Sequence, residues 1–246
     1  MTESINIMRH ESIFNPKEYP YPIHIIGAGA TGSRVFAALV ELGITDLHVY
    51  DDDVVEDHNL ANQIYGVDDI NEPKVNGCIA FARHKLGIVP EGMEAYNRRV
   101  TDGYLRNGGV AGGIVFLLTD TMASRREIVA GLHRRCHSLG SAAASAPLLV
   151  IETRMASTHG SIFTLNLFDD ELYKQWRSTL VDDDDEDSIE LSPCGTALSV
   201  GTTASLIANY AVWQMMQFFV DPVGLQPRVD LFFKPTLTMT MSAIAA

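Results

Sequence analysis

Gly27, Gly29 and Gly32 stand as Gly-x-Gly-x-x-Gly directly after the apolar run Ile23–Ile26 and ahead of a helix-forming stretch. Glycines at this spacing let the backbone turn tightly and approach a phosphate. The helix that follows, opening near Thr31, offers further N–H donors without partners of their own. A second apolar run ends in Asp51-Asp52-Asp53, where Asp51 is placed to accept a hydrogen bond from a ribose hydroxyl. Taken alone, these residues form a mononucleotide-binding unit and admit an NAD-dependent oxidoreductase. Four further features have no shared role in such an enzyme. They are the run from Asp53 through Asn59-Leu60 to Gln63, Lys74 after the turn Asn71-Glu72-Pro73, Thr119-Asp120 with Arg125 five residues on, and Cys194 ahead of a long uncharged stretch.

The elements that must position these residues follow from periodicity and stop signals. Strand Ile23–Ile26 leads into a helix over Thr31–Leu42 that Gly43 ends, and then into strand Asp46–Tyr50. A helix is expected over Val75–Leu86, a third strand over Met93–Val100 and a fully buried strand over Gly112–Leu118. Helix Thr121–Leu139 and strand Leu148–Thr153 complete an alternation that predicts a doubly wound sheet with right-handed crossovers. Beyond it the pattern changes. Ser161–Phe168 alternates like an antiparallel strand, Leu172–Leu180 reads as helical, and Asp182–Asp187 is an acidic loop. Thr196–Val220 is an uncharged helix, and Val229–Phe233 with Thr236–Met241 forms a closing hairpin. Residues 1–21 read as an N-terminal arm.

In order and spacing, these motifs resemble the ThiF/MoeB/HesA superfamily, the ubiquitin-activating-type adenylyltransferases. The resemblance is close from Ile23 to Arg125 and looser from Cys194 to Val220. It implies one α/β domain over residues 1–246, Rossmann-like, with a mainly parallel sheet and an antiparallel C-terminal extension. Within it, residues 22–155 form the nucleotide-binding core, and residues 156–246 hold the crossover loop, the long buried helix and the last strands. It also implies that Gly27, Gly29, Ala30 and Gly32 cradle ATP, that Asp51 holds the ribose, and that Asp53, Asn59 and Gln63 complete the nucleotide site. Lys74 then lies near the phosphates, Asp120 is associated with magnesium and ATP, and Arg125 follows it. The implied reaction joins a carboxylate to the α-phosphorus of ATP and expels pyrophosphate. The expected carboxylate is the C-terminus of a small ubiquitin-like or sulfur-carrier protein, and the expected assembly is a homodimer.

The chain departs from the family pattern in three places. The family arginine within Asn-Leu-x-Arg-Gln is Asn62 here, with Arg9 or Arg34 as candidates to replace it. The zinc-binding CxxC pairs of many members are absent, so no zinc is expected; the eight histidines show no metal-ligand spacing either. The crossover loop, about Leu180–Leu191, holds no cysteine, which leaves Cys194 just beyond it as the candidate thioester nucleophile. These departures define the rival expectation of a degenerate, nucleotide-binding partner protein.

Composition narrows the classes further. A net charge of -13 argues against bulk phosphate-backbone binding, and mildly against a tRNA-modifying branch of the same superfamily. Three well-separated cysteines and the lack of an apolar leader fit a reducing, cytoplasmic setting. The uncharged stretch 196–220 is interrupted by Thr, Ser, Asn and Gln, and reads as a buried helix at a subunit interface rather than a membrane span.

Overall fold

Strands that are apolar on both faces need a layer of helix on each side. The computed structural model describes residues 5–180 and 199–244 and has this arrangement. β1 (Ile23–Ile26), β2 (Leu47–Asp51), β3 (Met93–Asn97), β4 (Ile114–Leu117) and β5 (Leu149–Met155) pair in parallel. β6 (His159–Leu165), β7 (Arg228–Phe232) and β8 (Thr238–Ser242) extend the sheet in antiparallel fashion. The strand order is β3-β2-β1-β4-β5-β6-β7-β8.

The two-residue period of the strands sorts side chains into two cores. Ile23 and Ile25 share one core with Leu47, Val49, Ile114 and Phe116. It is covered by α1 (Ala30–Glu41), α2 (Lys74–Leu86) and α7 (Gly201–Val220). Ile26, Tyr50, Val115 and Leu117 face the other core, under α3 (Asp102–Arg106), α4 (Met122–Cys136) and α6 (Asp170–Ser178). The short α5 (Ser141–Ala144) joins α4 to β5.

Several expectations shift when packing is included. The third strand stops at Asn97, and Arg98–Val100 form a loop instead. α3, which the sequence pattern did not suggest, is a short helix started by Thr101, whose Oγ1 accepts the Tyr104 N–H at 3.3 Å. α4 ends three residues early, with His137 as its cap. The N-terminal arm is docked on the body: Phe14 is 1% exposed and stacks on Tyr19, which packs against Phe219 of α7 at 4.5 Å between centroids.

No helix among the described residues is long and apolar enough to cross a membrane. The polar residues of α7 explain why it packs within a protein. Thr203 donates to the Ser157 carbonyl at 2.9 Å, and Gln214 Nε2 donates to Thr164 Oγ1 and the Gln226 carbonyl at 3.2 and 3.0 Å. Cys194 and the acidic run Asp182–Asp187 lie outside the described residues.

Candidate nucleotide site

β1 and β4 are neighbours whose crossovers leave in opposite directions, so a crevice opens beyond their C-terminal ends. The glycine loop fills its floor, and each glycine has a different job. Gly27 has φ +97°, and a Cβ there would lie 2.7 Å from the Leu118 carbonyl oxygen, so only glycine lets β1 turn beside β4. A Cβ on Gly32 would lie 1.9 Å from the Gly27 carbonyl oxygen, so this glycine lets α1 press against the loop. A Cβ on Gly29 would meet nothing within 4 Å. The free space beside Gly29 belongs to a cleft of about 270 Å³. Ala30 opens α1, and the first intrahelical N–H bond there runs from Ser33 to the Gly29 carbonyl at 3.0 Å. The N–H groups of the first turn therefore have no partner along the helix.

The end of β2 is bound into this loop. Asp51 Oδ2 accepts the Ala28 N–H at 2.6 Å, and Oδ1 accepts the Asp53 N–H at 2.9 Å. Burial raises the Asp51 carboxyl above its usual range, against the lowering effect of those two N–H groups and of Lys74. Each carboxylate oxygen keeps a second lone pair for a ligand hydroxyl. Asp53 and Lys74, distant in sequence, meet because residues 53–55 run beside residues 71–74. The Val55 N–H donates to the Glu72 carbonyl at 2.9 Å, and the Lys74 N–H to the Asp53 carbonyl at 3.0 Å. Lys74 Nζ then sits 2.7 Å from Asp53 Oδ2, with the lysine side chain 10% exposed and the aspartate 62%.

The opposite wall is the end of β4, where Thr119, Asp120, Thr121 and Ser124 line the cleft. The N-cap of α4 is Thr121, whose Oγ1 accepts the Ser124 N–H at 3.2 Å, so Asp120 is not spent on capping. Arg98 and Arg99 close the third side, and Arg99 approaches Asp52 at 3.4 Å. Sequence reasoning missed this pair. The available signal was its place just after a parallel strand, at the edge of the sheet where the other site residues end.

Other sequence-predicted residues sit behind the cleft. The Arg125 guanidinium is buried. It donates to Glu152, to the Thr119 carbonyl, and to the Thr153 carbonyl at 2.5 Å, which latches the end of β4 to β5. Glu152 is fully buried and also accepts Trp176 Nε1 at 2.9 Å and the Arg154 guanidinium. Burial alone would push its carboxyl up, but the Arg125 and Arg154 charges hold it below the usual range. Asn59 is buried, and its Oδ1 accepts the Glu56 N–H at 2.9 Å. Asn62 Oδ1 and Gln63 Oε1 are buried without a hydrogen-bond partner. Arg34 Nε donates to the Asn62 carbonyl at 3.2 Å. None of Asn59, Asn62, Gln63, Arg34 and Arg9 is among the residues that line the cleft.

Comparison with known proteins agrees with this fold. SAMP-activating enzyme E1 of Haloferax volcanii is 31% identical over 103 residues, which are 41% of this chain and 37% of that enzyme. The match thus takes in well under half of the relative's length. Among solved structures, PaaA superposes with a TM-score of 0.67 at 15% identity, over 100% of this chain and 76% of that one. Escherichia coli MccB gives 0.68 at 13% identity, over 97% and 69%. The complex of MccB with ATP gives 0.64 at 13% identity, over 92% and 64%. At these identities the superpositions establish the shared fold. Residues 21–245, nearly the whole chain, match the ThiF family, and the chain belongs to that family.

Proposed function

We propose that this chain is an ATP-dependent adenylyltransferase that activates the C-terminal carboxylate of a small ubiquitin-like or sulfur-carrier protein. The observation that carries the reading is the meeting of the open Gly29 loop, Lys74 and Asp120 around one cleft. The carboxylate oxygen attacks the α-phosphorus of ATP. A C–O–P bond forms, the bond to the bridging oxygen breaks, and pyrophosphate leaves as the acyl-adenylate is made. An ionised carboxylate needs no general base, so the protein's work is positioning and charge neutralisation. The loop N–H groups and Lys74 serve the phosphates, and Asp51 serves the ribose.

Four carboxylates (Asp51, Asp52, Asp53 and Asp120) and three cations (Lys74, Arg98 and Arg99) line the cleft, so its side chains alone do not neutralise a triphosphate. The all-oxygen acidic set suits magnesium, and Asp120 would hold it. Bound there, it supplies charge neutralisation at the phosphate oxygens.

Support for the substrate class comes from the relatives. One is named a SAMP-activating enzyme E1, and structures of MccB hold ATP, or AMPCPP with MccA. A homodimer is part of the proposal, and the exposed Leu206 and Trp213 of α7 are candidate contacts. A second reading, nucleotide binding without adenylation, is favoured by one observation. The family arginine is Asn62 here, with Oδ1 buried and unpartnered outside the cleft lining.

ATP–pyrophosphate exchange with magnesium, with and without carrier proteins ending in Gly-Gly, separates the readings. Carrier-dependent exchange that vanishes in Asp120→Ala supports adenylation. ATP binding that depends on Asp51 and Lys74, with no exchange for any carrier, supports the second reading. Binding of NADH but not ATP overturns both.

A further inference from the structure

α4 begins at the nucleotide cleft and carries His133 nine residues beyond Ser124, about 13 Å further along its axis. There a second constellation forms that the nucleotide chemistry does not use. His133 and His137 are four residues apart, so their side chains lie one above the other on the last turn of α4. α6 brings the carboxylate of Asp170 to the same point. Nε2 of His133 lies 2.8 Å from Asp170 Oδ1, and Nε2 of His137 lies 3.3 Å from the same oxygen. One donor atom from each of the three residues lies within 4.8 Å of the other two.

We propose that His133, His137 and Asp170 form a binding site for a zinc-type divalent cation that clamps α4 to α6. Two imidazole nitrogens and one carboxylate oxygen suit borderline transition ions and not magnesium. Bonds of about 2.0–2.1 Å in tetrahedral geometry put neighbouring ligand atoms about 3.3 Å apart. The His137–Asp170 separation already has this value, and the His133–Asp170 separation needs to open by about half an ångström. The His133 ring is held for the task, stacked on Tyr173 of α6 with centroids 3.8 Å apart. The side chains are 19%, 39% and 62% exposed, which leaves an entry path and room for a water in the fourth position. His137 Nε2 also faces the Leu167 carbonyl at 3.2 Å, a contact that coordination replaces. This corrects the expectation that the histidines show no metal-ligand spacing: His133 and His137 stand as His-x-x-x-His on α4, and the docking of α6 adds Asp170 as the third member.

The clamp has a route to the cleft. α6 carries Trp176, which holds Glu152, which holds Arg125 at the end of β4. The test uses the full chain. Zinc chloride is titrated by calorimetry and by thermal melts, beside magnesium chloride, and cobalt(II) is titrated by visible absorption. The expected result is one zinc per chain, a raised Tm with zinc alone, and cobalt bands of low coordination number. All three are lost in His133→Ala and His137→Ala and kept in the control His84→Ala. Asp170→Asn keeps an acceptor for both imidazoles and so preserves the fold, and it should weaken zinc binding at least about tenfold. Absence of zinc binding at tens of micromolar, or binding that survives in Asp170→Asn and both histidine variants, overturns the proposal.

Discussion

The glycines of the phosphate loop should separate under substitution by alanine into one that serves binding and one that serves packing. In Gly32→Ala the new Cβ would sit 1.9 Å from the Gly27 carbonyl oxygen, which is main chain and cannot swing aside. The helix must lift by about 1 Å, an overpacking cost of about 1–3 kcal/mol or more. For a domain of this size that corresponds to a fall in Tm of about 2–12 °C, at about 2–4 °C per kcal/mol. In Gly29→Ala the Cβ meets no protein atom within 4 Å, and the backbone there has φ −75°, which alanine adopts. Its Tm should stay within about 2 °C of the parent, since surface changes of this kind usually stay within about 0.5 kcal/mol. The methyl group, however, stands where a phosphate would approach the loop. Loss of one charge-assisted hydrogen bond, worth about 1.5–3 kcal/mol, weakens ATP binding about 10- to 100-fold. Scanning fluorimetry without ligand and calorimetry with MgATP read the two effects apart. If Gly29→Ala binds ATP as the parent does, the loop is not a phosphate cradle. If Gly32→Ala melts with the parent, the packing argument for the third glycine is wrong.

Lys74→Met keeps the buried stem of the side chain and leaves Asp53, which is 62% exposed, in water. It should fold normally and bind MgATP about 10- to 100-fold more weakly in the same calorimetry. Trp176→Phe removes the Nε1–H that Glu152 accepts at 2.9 Å inside a fully buried network. A stability loss of about 2–4 kcal/mol is expected in urea unfolding, with the m-value unchanged. His24 gives a pH signature. Its Nε2 donates to the Ala111 carbonyl at 3.3 Å, so Nδ1 accepts the Tyr50 hydroxyl at 3.1 Å and the ring is neutral. Burial, with smaller contributions from His48 and Arg135, lowers its pKa from 6.5 to about 4. Between those values the unfolded chain binds the extra proton, so stability falls as pH drops and levels off below about pH 4, for a total of about 3 kcal/mol. His24→Gln keeps an amide donor at the Nε2 position for the Ala111 carbonyl and does not titrate; its stability should decline less over that window, and parallel curves would refute the assignment.

The elements that carry the site were legible because their signals are local. Three glycines after Ile26, an acidic end to β2 and a continuous apolar run before Thr119 each report a strand or turn through its own neighbours. The strand order that brings Gly27 beside Leu118 then follows from crossover handedness. Arg125 shows where local reasoning stops. Its spacing from Asp120 marked it as a candidate site residue, but Arg125 lies on the buried face of α4, behind the cleft. There it meets Glu152, a partner 27 positions away that periodicity cannot name. Arg98 and Arg99 were missed for the converse reason: their element looked like continuing strand, and only the end of β3 at Asn97 turns them into the cleft. His133, His137 and Asp170 required both kinds of information, a helical spacing within α4 and the docking of α6. A sequence reports which groups can share a helix face or follow a strand. Which two such groups face each other is decided by the packing of elements that are distant in the chain. The charged groups of this protein therefore divide by location. Those at strand ends, such as Asp51 and Asp120, remain available to a ligand. Those one helical turn further in, such as Arg125, hold the strand ends in place.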